Sequence, residues 1–487
     1  MFADSLTTLY ARLDPSSVAE HFAFYELYPQ TYQGREALKH GWALLTGSED
    51  PQFVLPDLDI QPLIALVNRA ESTATQVLPE EQLAAIDRIA RPLANRRLRG
   101  FQCPDVVALQ MLGEEEIDLA RGLLLAEGNH SLEEIRSYEA TLDLMALQVL
   151  ARLTPEATEV QKIRALNDYI FHEMRFRFPP HSLYAADIDL YTFLPSVLDS
   201  RRGVCLGVSI LYLTLAQRLD LKLEAVTPPG HIYLRYRVGD EIVNIETTAR
   251  GLDLPSDVYL GIETRALETR TVREVIGLAF MNQAAVAWHR KDPKAAIALY
   301  ERALVYQPRD PLLQFFLALN HLFAGNTAQG RALLHEVRDY CPPSATFPDS
   351  VAADYLDGRC DLPALQAVFS EVDATRASIL EKQAEIEATL TRCPRFRQGH
   401  FNLAITYLQL GREKEGLEAL QHYLALEPHD PTAHYYAAVL SLHRFDYPKA
   451  WEHYREASAF LASLGHHPHA LRDLKSALLR TSPEPLQ

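Results

Sequence analysis

Residues 201–248 read RRGVCLGVSILYLTLAQRLDLKLEAVTPPGHIYLRYRVGDEIVNIETT, and the apolar pattern changes from helical to alternating midway. Gly203 allows a sharp turn before Cys205. The following LGVSILYLTLAQRL is apolar on nearly every side, which predicts a helix buried in the centre of a domain. A cysteine in the first turn of such a helix feels its unpaired N–H groups and positive end, which favour thiolate and would help hold an oxyanion. LKLEAV then predicts a short strand, and PPGHIYLRYRVGDEIVNIETT alternates on both sides of Gly239-Asp240, the signature of a two-residue type II′ hairpin.

If Val238 faces Glu241, the register pairs Arg235 with Asn244, Tyr233 with Glu246 and His231 with Thr248. All six then share one face, and Ile232, Leu234, Tyr236, Val243 and Ile245 form the opposite, core-facing one. His231 and Glu246 become diagonal neighbours, roughly 7–8 Å apart at the backbone. A carboxylate is thereby placed beside a histidine on the side of the hairpin away from the core. Tyr233 and Arg235 share that face and are candidates for a cleft lining. Taken singly, Cys205 is a small buried hydrophobe and His231 a hairpin cap; the ordered set is what points to chemistry.

RRGVC before an apolar helix, then PPGH, then a strand ending in an acidic residue and Thr-Thr resembles the transglutaminase-like cysteine-hydrolase superfamily. The most similar member family is the SirB1-like proteins, which join this core to tetratricopeptide repeats. The resemblance covers about residues 112–260. It implies Cys205 as nucleophile, His231 as the base that removes its proton and Glu246 as the orienting acid, with Asn244 as a substitute orienter. Two departures stand out. SirB1-like sequences commonly have no cysteine where this chain has Cys205, and the superfamily more often has Asp where this chain has Glu246.

Downstream, a 34-residue period is the strongest long-range signal. Ala296, Tyr300, Ala303 and Pro308 return as Gly330, Leu334, Val337 and Pro342, then as Gly416, Leu420, Tyr423 and Pro428, and finally as Ala450, Tyr454 and Ala457. The first helices contribute Ala318 and Gly325, then Ala404 and Gly411. Small residues let paired helices approach, larger ones fill the gap, and proline stops the second helix. This resembles the tetratricopeptide family, with units at about 277–310, 311–344, 397–430 and 431–464. The stretch between the pairs, including the charged helical run from Ala374 to Leu390, departs from the period.

The expected organisation is α+β: a helical N-terminal region (1–111), a transglutaminase-like core with a central buried helix and antiparallel sheet (112–275), a first repeat pair (277–344), a degenerate repeat with a long helix (345–396), a second pair (397–464) and a capping helix with tail (465–487). Near the N-terminus, short amphipathic helices fill 1–45, the proline-rich DPQFVLPDLDIQP (50–62) interrupts them, and helical periodicity resumes over 63–98. Ser131 with Glu134 predicts a capping box. Thr154-Pro155-Glu156 predicts a helix start, with the helix running to about His172.

Composition narrows the function classes. The chain has 487 residues, 48% hydrophobic and 23% charged, with a net charge of −17; this is a globular balance with no general phosphate-binding surface. Arg96-Arg97-Leu98-Arg99 reads as a solvated helix end rather than a nucleic-acid contact. No apolar run is long enough for a membrane span, and MFADSLTTLYARLD lacks a signal-peptide pattern. Five scattered cysteines without a CxxC pair suit a reducing, cytoplasmic setting. With neither GxxxxGK[ST] nor GxGxxG, no nucleotide loop is expected. His466, His467 and His469 in GHHPHAL read as a loop rather than a metal site, so neither a cofactor nor a metal is expected. Two functions follow: a thiol-dependent hydrolase or acyltransferase (protease, amidase or transglutaminase-type) with a protein- or peptide-binding repeat surface, or an inactive scaffold that works through that surface alone.

Overall fold

The computed structural model describes residues 2–47, 60–71, 74–179, 191–370, 372–373 and 375–482. The proline-rich passage lies mostly outside them, as does Ala374. Three helices, Phe2–Tyr10, Val18–Leu27 and Tyr32–Thr46, open the chain, the last two capped by Ser17 and Thr31. The expected helical stretch over 63–98 is instead two short helices, Gln61–Val67 and Glu80–Ile89, and a 3₁₀ turn at Ala94–Arg97. Pro79 and Pro92 account for the interruptions, since neither can donate an N–H. The basic cluster is not simply solvated. Arg97 and Arg99 are exposed, but Arg96 is drawn inward to Asp87 and to Asp143, a residue with no exposed surface.

Helix α1 (Leu132–Leu150) starts at the expected Ser131–Glu134 capping box. The next helix starts later than Thr154-Pro155 suggests. Thr154 closes a turn with the Ala157 N–H, and Thr158 with Gln161 forms the capping box that opens Glu159–Asn167. A reciprocal cap satisfies two N–H groups where a proline only tolerates a start.

Helix α2 (Cys205–Arg218) is the core element, with every residue from Leu206 to Ala216 buried. Around it lies a four-stranded antiparallel sheet of order β3-β2-β1-β4, comprising β1 (Glu224–Thr227), β2 (Tyr233–Val238), β3 (Glu241–Ile245) and β4 (Glu268–Arg270). Val238 pairs with Glu241 and Arg235 with Asn244, and Gly239 takes φ 59° at the turn, as the hairpin pattern requires. Ile232, Leu234, Tyr236 and Ile245 are buried toward α2.

Stacked helical pairs follow: α3 (Val272–His289) with α4 (Pro293–Tyr306), then α5 (Pro311–Phe323) with α6 (Thr327–Glu336). Three helices fill the aperiodic stretch, Val351–Leu356, Leu362–Phe369 and Arg376–Arg392. The period resumes with α7 (Arg397–Gln409), α8 (Glu413–Leu426), α9 (Pro431–His443) and α10 (Tyr447–Ser463), and α11 (His469–Thr481) closes the stack. Ala296, Ala303, Ala318, Leu334, Ala404, Leu420, Ala450 and Ala457 have no exposed surface. Gly325 and Gly411 end the first helices with positive φ, a conformation that glycine adopts without a Cβ penalty.

Candidate active site

Cys205 occupies the first position of α2 and is only partly buried. Two backbone features put it there. Arg201 turns the chain in the left-handed region, with φ 53°. Gly207, two residues on, faces the Tyr191 carbonyl so closely that a Cβ would lie 2.2 Å from it. His231 enters from the other side, just before β2, where its N–H closes a turn on the Pro228 carbonyl at 3.1 Å.

Glu246 follows β3 and is 4% exposed. Its Oε2 lies 2.7 Å from His231 Nε2. Its Oε1 accepts from the Thr248 N–H at 3.0 Å and the Thr248 hydroxyl at 2.6 Å. The Tyr259 hydroxyl also donates to Oε2. Cys205 lies on the same cavity wall as His231 and is near enough for its side chain to act on the His231 charge. The structure therefore pairs His231 with Glu246 and places Cys205 beside them.

Charge is redistributed across these groups. Burial acts to lower the His231 pKa, but interactions with Cys205 and Glu246 outweigh it and raise it to about 9. Burial acts to raise that of Glu246, yet hydrogen bonds from His231, Thr248 and Tyr259, with the His231 charge, lower it to about 2. An imidazolium–carboxylate pair is thus the neutral-pH state. Burial and the neighbouring carboxylate both push the Tyr259 hydroxyl upward, so it stays protonated and remains a donor.

The remaining expected site residues are elsewhere. Asn244 donates its side-chain amide to the Leu254 carbonyl at 2.6 Å, which pins the 252–259 segment rather than His231. Tyr233 and Arg235 do not line a cleft. Tyr233 has no exposed surface, stacks on Tyr259 at 4.8 Å and bonds Ser256, while Arg235 is 8% exposed and reaches Glu224 at 2.7 Å. The hairpin face expected to lie away from the core is covered because residues 252–259 fold back across it. His466 and His469 face the same region, contacting the Gly261 carbonyl at 2.7 Å and Asp257 at 2.8 Å.

Two site residues had no sequence signal strong enough to select them. Tyr259 stacks 5.8 Å from His231 as well as bonding Glu246. Thr247 bridges the Glu246 turn to α2 through Ser209 at 3.0 Å and the Cys205 carbonyl at 3.5 Å. The Thr-Thr pair after Glu246 was the available clue for Thr247. Cys205 and His231 line a cavity of about 1230 Å³ whose other walls include Trp288, Phe316, Phe369 and Phe401 of the helical stack.

Residues 136–269 match the family model described as the transglutaminase-like superfamily. F-box only protein 21 of mouse, and that of human, is 33% identical over 81 residues, 17% of this chain and 12% of each of those proteins. Similar solved structures include a thermophilic TPR protein of Thermus thermophilus (21% identity, 42% of this chain and 99% of that chain, TM-score 0.21) and MamA of Desulfovibrio magneticus (15% identity, 38% and 96%, TM-score 0.20). Within this chain, residues 136–269 are accordingly a transglutaminase-like superfamily domain, and stacked helical hairpins follow it.

Proposed function

We propose that this protein is a thiol-dependent hydrolase or acyltransferase in which Cys205 is the nucleophile, His231 the acid–base and Glu246 the orienting carboxylate. The 2.7 Å contact between Glu246 and His231, on a ring that lines one cavity with Cys205, carries the reading. An imidazolium beside the sulfur is the charge arrangement that favours a thiolate nucleophile. Val204 supplies no side-chain cap to α2, so the helix's first N–H groups suit a developing oxyanion.

In the reaction, Cys205 Sγ attacks a carbonyl carbon and the bond to the leaving group breaks as His231 gives up its proton to it. An acyl thioester remains. Neutral His231 then takes a proton from water or an amine, whose oxygen or nitrogen displaces Sγ, and the ion pair returns. Glu246 holds the ring throughout. Placement among SirB1-like proteins, a cytoplasmic setting, the division into helical region, core and two repeat pairs, and a protein or peptide as partner belong to the same reading. Incubation with p-nitrophenyl acetate followed by peptide mass mapping tests it. Acetyl mass on Cys205 in the wild type and none in His231→Ala is expected. Equal modification of both proteins contradicts the reading and leaves the scaffold function.

A further inference from the structure

The cavity beside Cys205 is bordered by a strap. Residues 260–268 leave the core, cross to the helical stack and return as β4. Thr346 donates its N–H to the Glu263 carbonyl at 3.0 Å, and Arg265 donates to the Ser344 carbonyl at 2.7 Å. Ile262 packs in one cluster with Trp451 and Leu471, near the far end of the stack. The strap thereby ties the middle and the end of the helical array to the core. The space it borders runs from Cys205 and the Pro228–His231 turn to Gln398, Phe401 and Asp430.

Its walls carry more acidic than basic side chains. Glu263, Glu268, Glu274, Asp310, Asp349 and Asp430 face Arg270 and Arg309. Arg270 is already held by Glu268 at 3.0 Å and Asp310 at 3.4 Å. Glu263 and Asp349 stand exposed on the cavity wall, whereas Asp430 is buried, which raises its pKa. Charge of this kind is relieved by a cation brought into the cavity. Trp288, Phe316 and Phe401 add aromatic surface on which cationic side chains also settle. At about 1230 Å³ the space exceeds the roughly 300–1,000 Å³ of small-molecule sites.

We propose that this cavity is the substrate channel of the Cys205 site and takes an extended polypeptide segment bearing lysine or arginine, with the helical array as one wall of the active site. The identity of the reacting end rests on the nucleophile reading above; occupancy of the channel does not. Fluorescein-labelled oligolysine binding to full-length Cys205→Ala protein tests it by fluorescence anisotropy. The double variant Glu263→Gln/Asp349→Asn should raise the Kd about tenfold, against less than about twofold for Glu81→Gln/Glu418→Gln, which removes the same charge from exposed helix positions. The near-isosteric Glu263→Gln alone should move it in the same direction, so misfolding of the double variant does not decide the result. Equal weakening by the cavity and surface pairs would overturn the proposal. In the wild type, saturating oligolysine should also slow iodoacetamide modification of Cys205; an unchanged rate at saturation places the peptide elsewhere and overturns it as well. Cavity-specific binding with a thiol that never reacts would uphold the channel and contradict the nucleophile reading.

Discussion

The core and the helical array use sequence in opposite ways. In the array, Ala296, Gly330, Gly416 and Ala450 answer to one another in the same register, and most contacts lie within a hairpin or between neighbouring ones. In the core, Cys205, His231, Glu246 and Tyr259 come from four separate segments and meet only once the sheet has closed on α2. A repeat spreads its stability over many similar interfaces, whereas the site depends on a few contacts with no substitute. Damage should therefore stay local in energy but total in function at the core, and large in energy but silent in chemistry in the array.

The greatest functional effect is expected at His231. His231→Ala should lower acyl transfer at Cys205 about 10²–10⁴-fold while leaving the far-ultraviolet dichroism spectrum unchanged. Its counterpart in the array is Leu420, which has no exposed surface and packs away from the strap. Leu420→Ala should cost about 2–5 kcal/mol in denaturant unfolding. Below that transition Cys205 should be acetylated at the wild-type rate, and a parallel loss would show that the two regions are not separable.

Glu246 connects stability to pH. The folded His231 pKa of about 9 lies above its ordinary 6.5, so its contribution is complete below 6.5 and lost as pH rises through 9. The folded Glu246 pKa of about 2 lies below its ordinary 4.5, so its contribution is complete above 4.5 and lost as pH falls through 2. Both describe one ion pair. Thermal melts of wild type and Glu246→Gln should differ most between pH 4.5 and 6.5, converging toward both extremes. A pH-independent difference would deny the pair.

The smallest effect is expected at Tyr259. Tyr259→Phe keeps the stack between His231 and Tyr233 but removes one donor from Glu246, costing about 1–2 kcal/mol by denaturant midpoint. The alkaline limb of the acylation pH profile should shift upward, because a carboxylate that loses a competing donor is more basic and holds the His231 proton more tightly. No shift in that limb would assign Tyr259 to packing alone.

What was legible before the structure follows the same division. The apolar run after Cys205, the Gly239-Asp240 turn and the register through Arg235 and Asn244 depend on neighbours within a hairpin or helix, and so do the small residues of the array. The ordered Cys, His and Glu could be picked out, but not the chain segment that covers them. The 252–259 fold-back buries Tyr233 and recruits Tyr259, and nothing in its alternation announces a partner face. Arg96 has the same history: beside Arg97 and Arg99 it looks solvated, and only the fold brings Asp143 to it. The cavity is further still from the sequence, since its walls run from Cys205 to Asp430 and are joined by a strap with no repeat or motif.

The pairing of Cys205 with His231 can be read from one thiol. Iodoacetamide modification of Cys205, followed by peptide mass mapping across pH 5 to 9, should show fast labelling in the wild type well below the ordinary cysteine pKa of about 8.5. His231→Ala should remove that low-pH reactivity and leave a single rise at alkaline pH. Equal, slow labelling of both proteins below pH 8 would contradict the account and return Cys205 to an ordinary structural thiol.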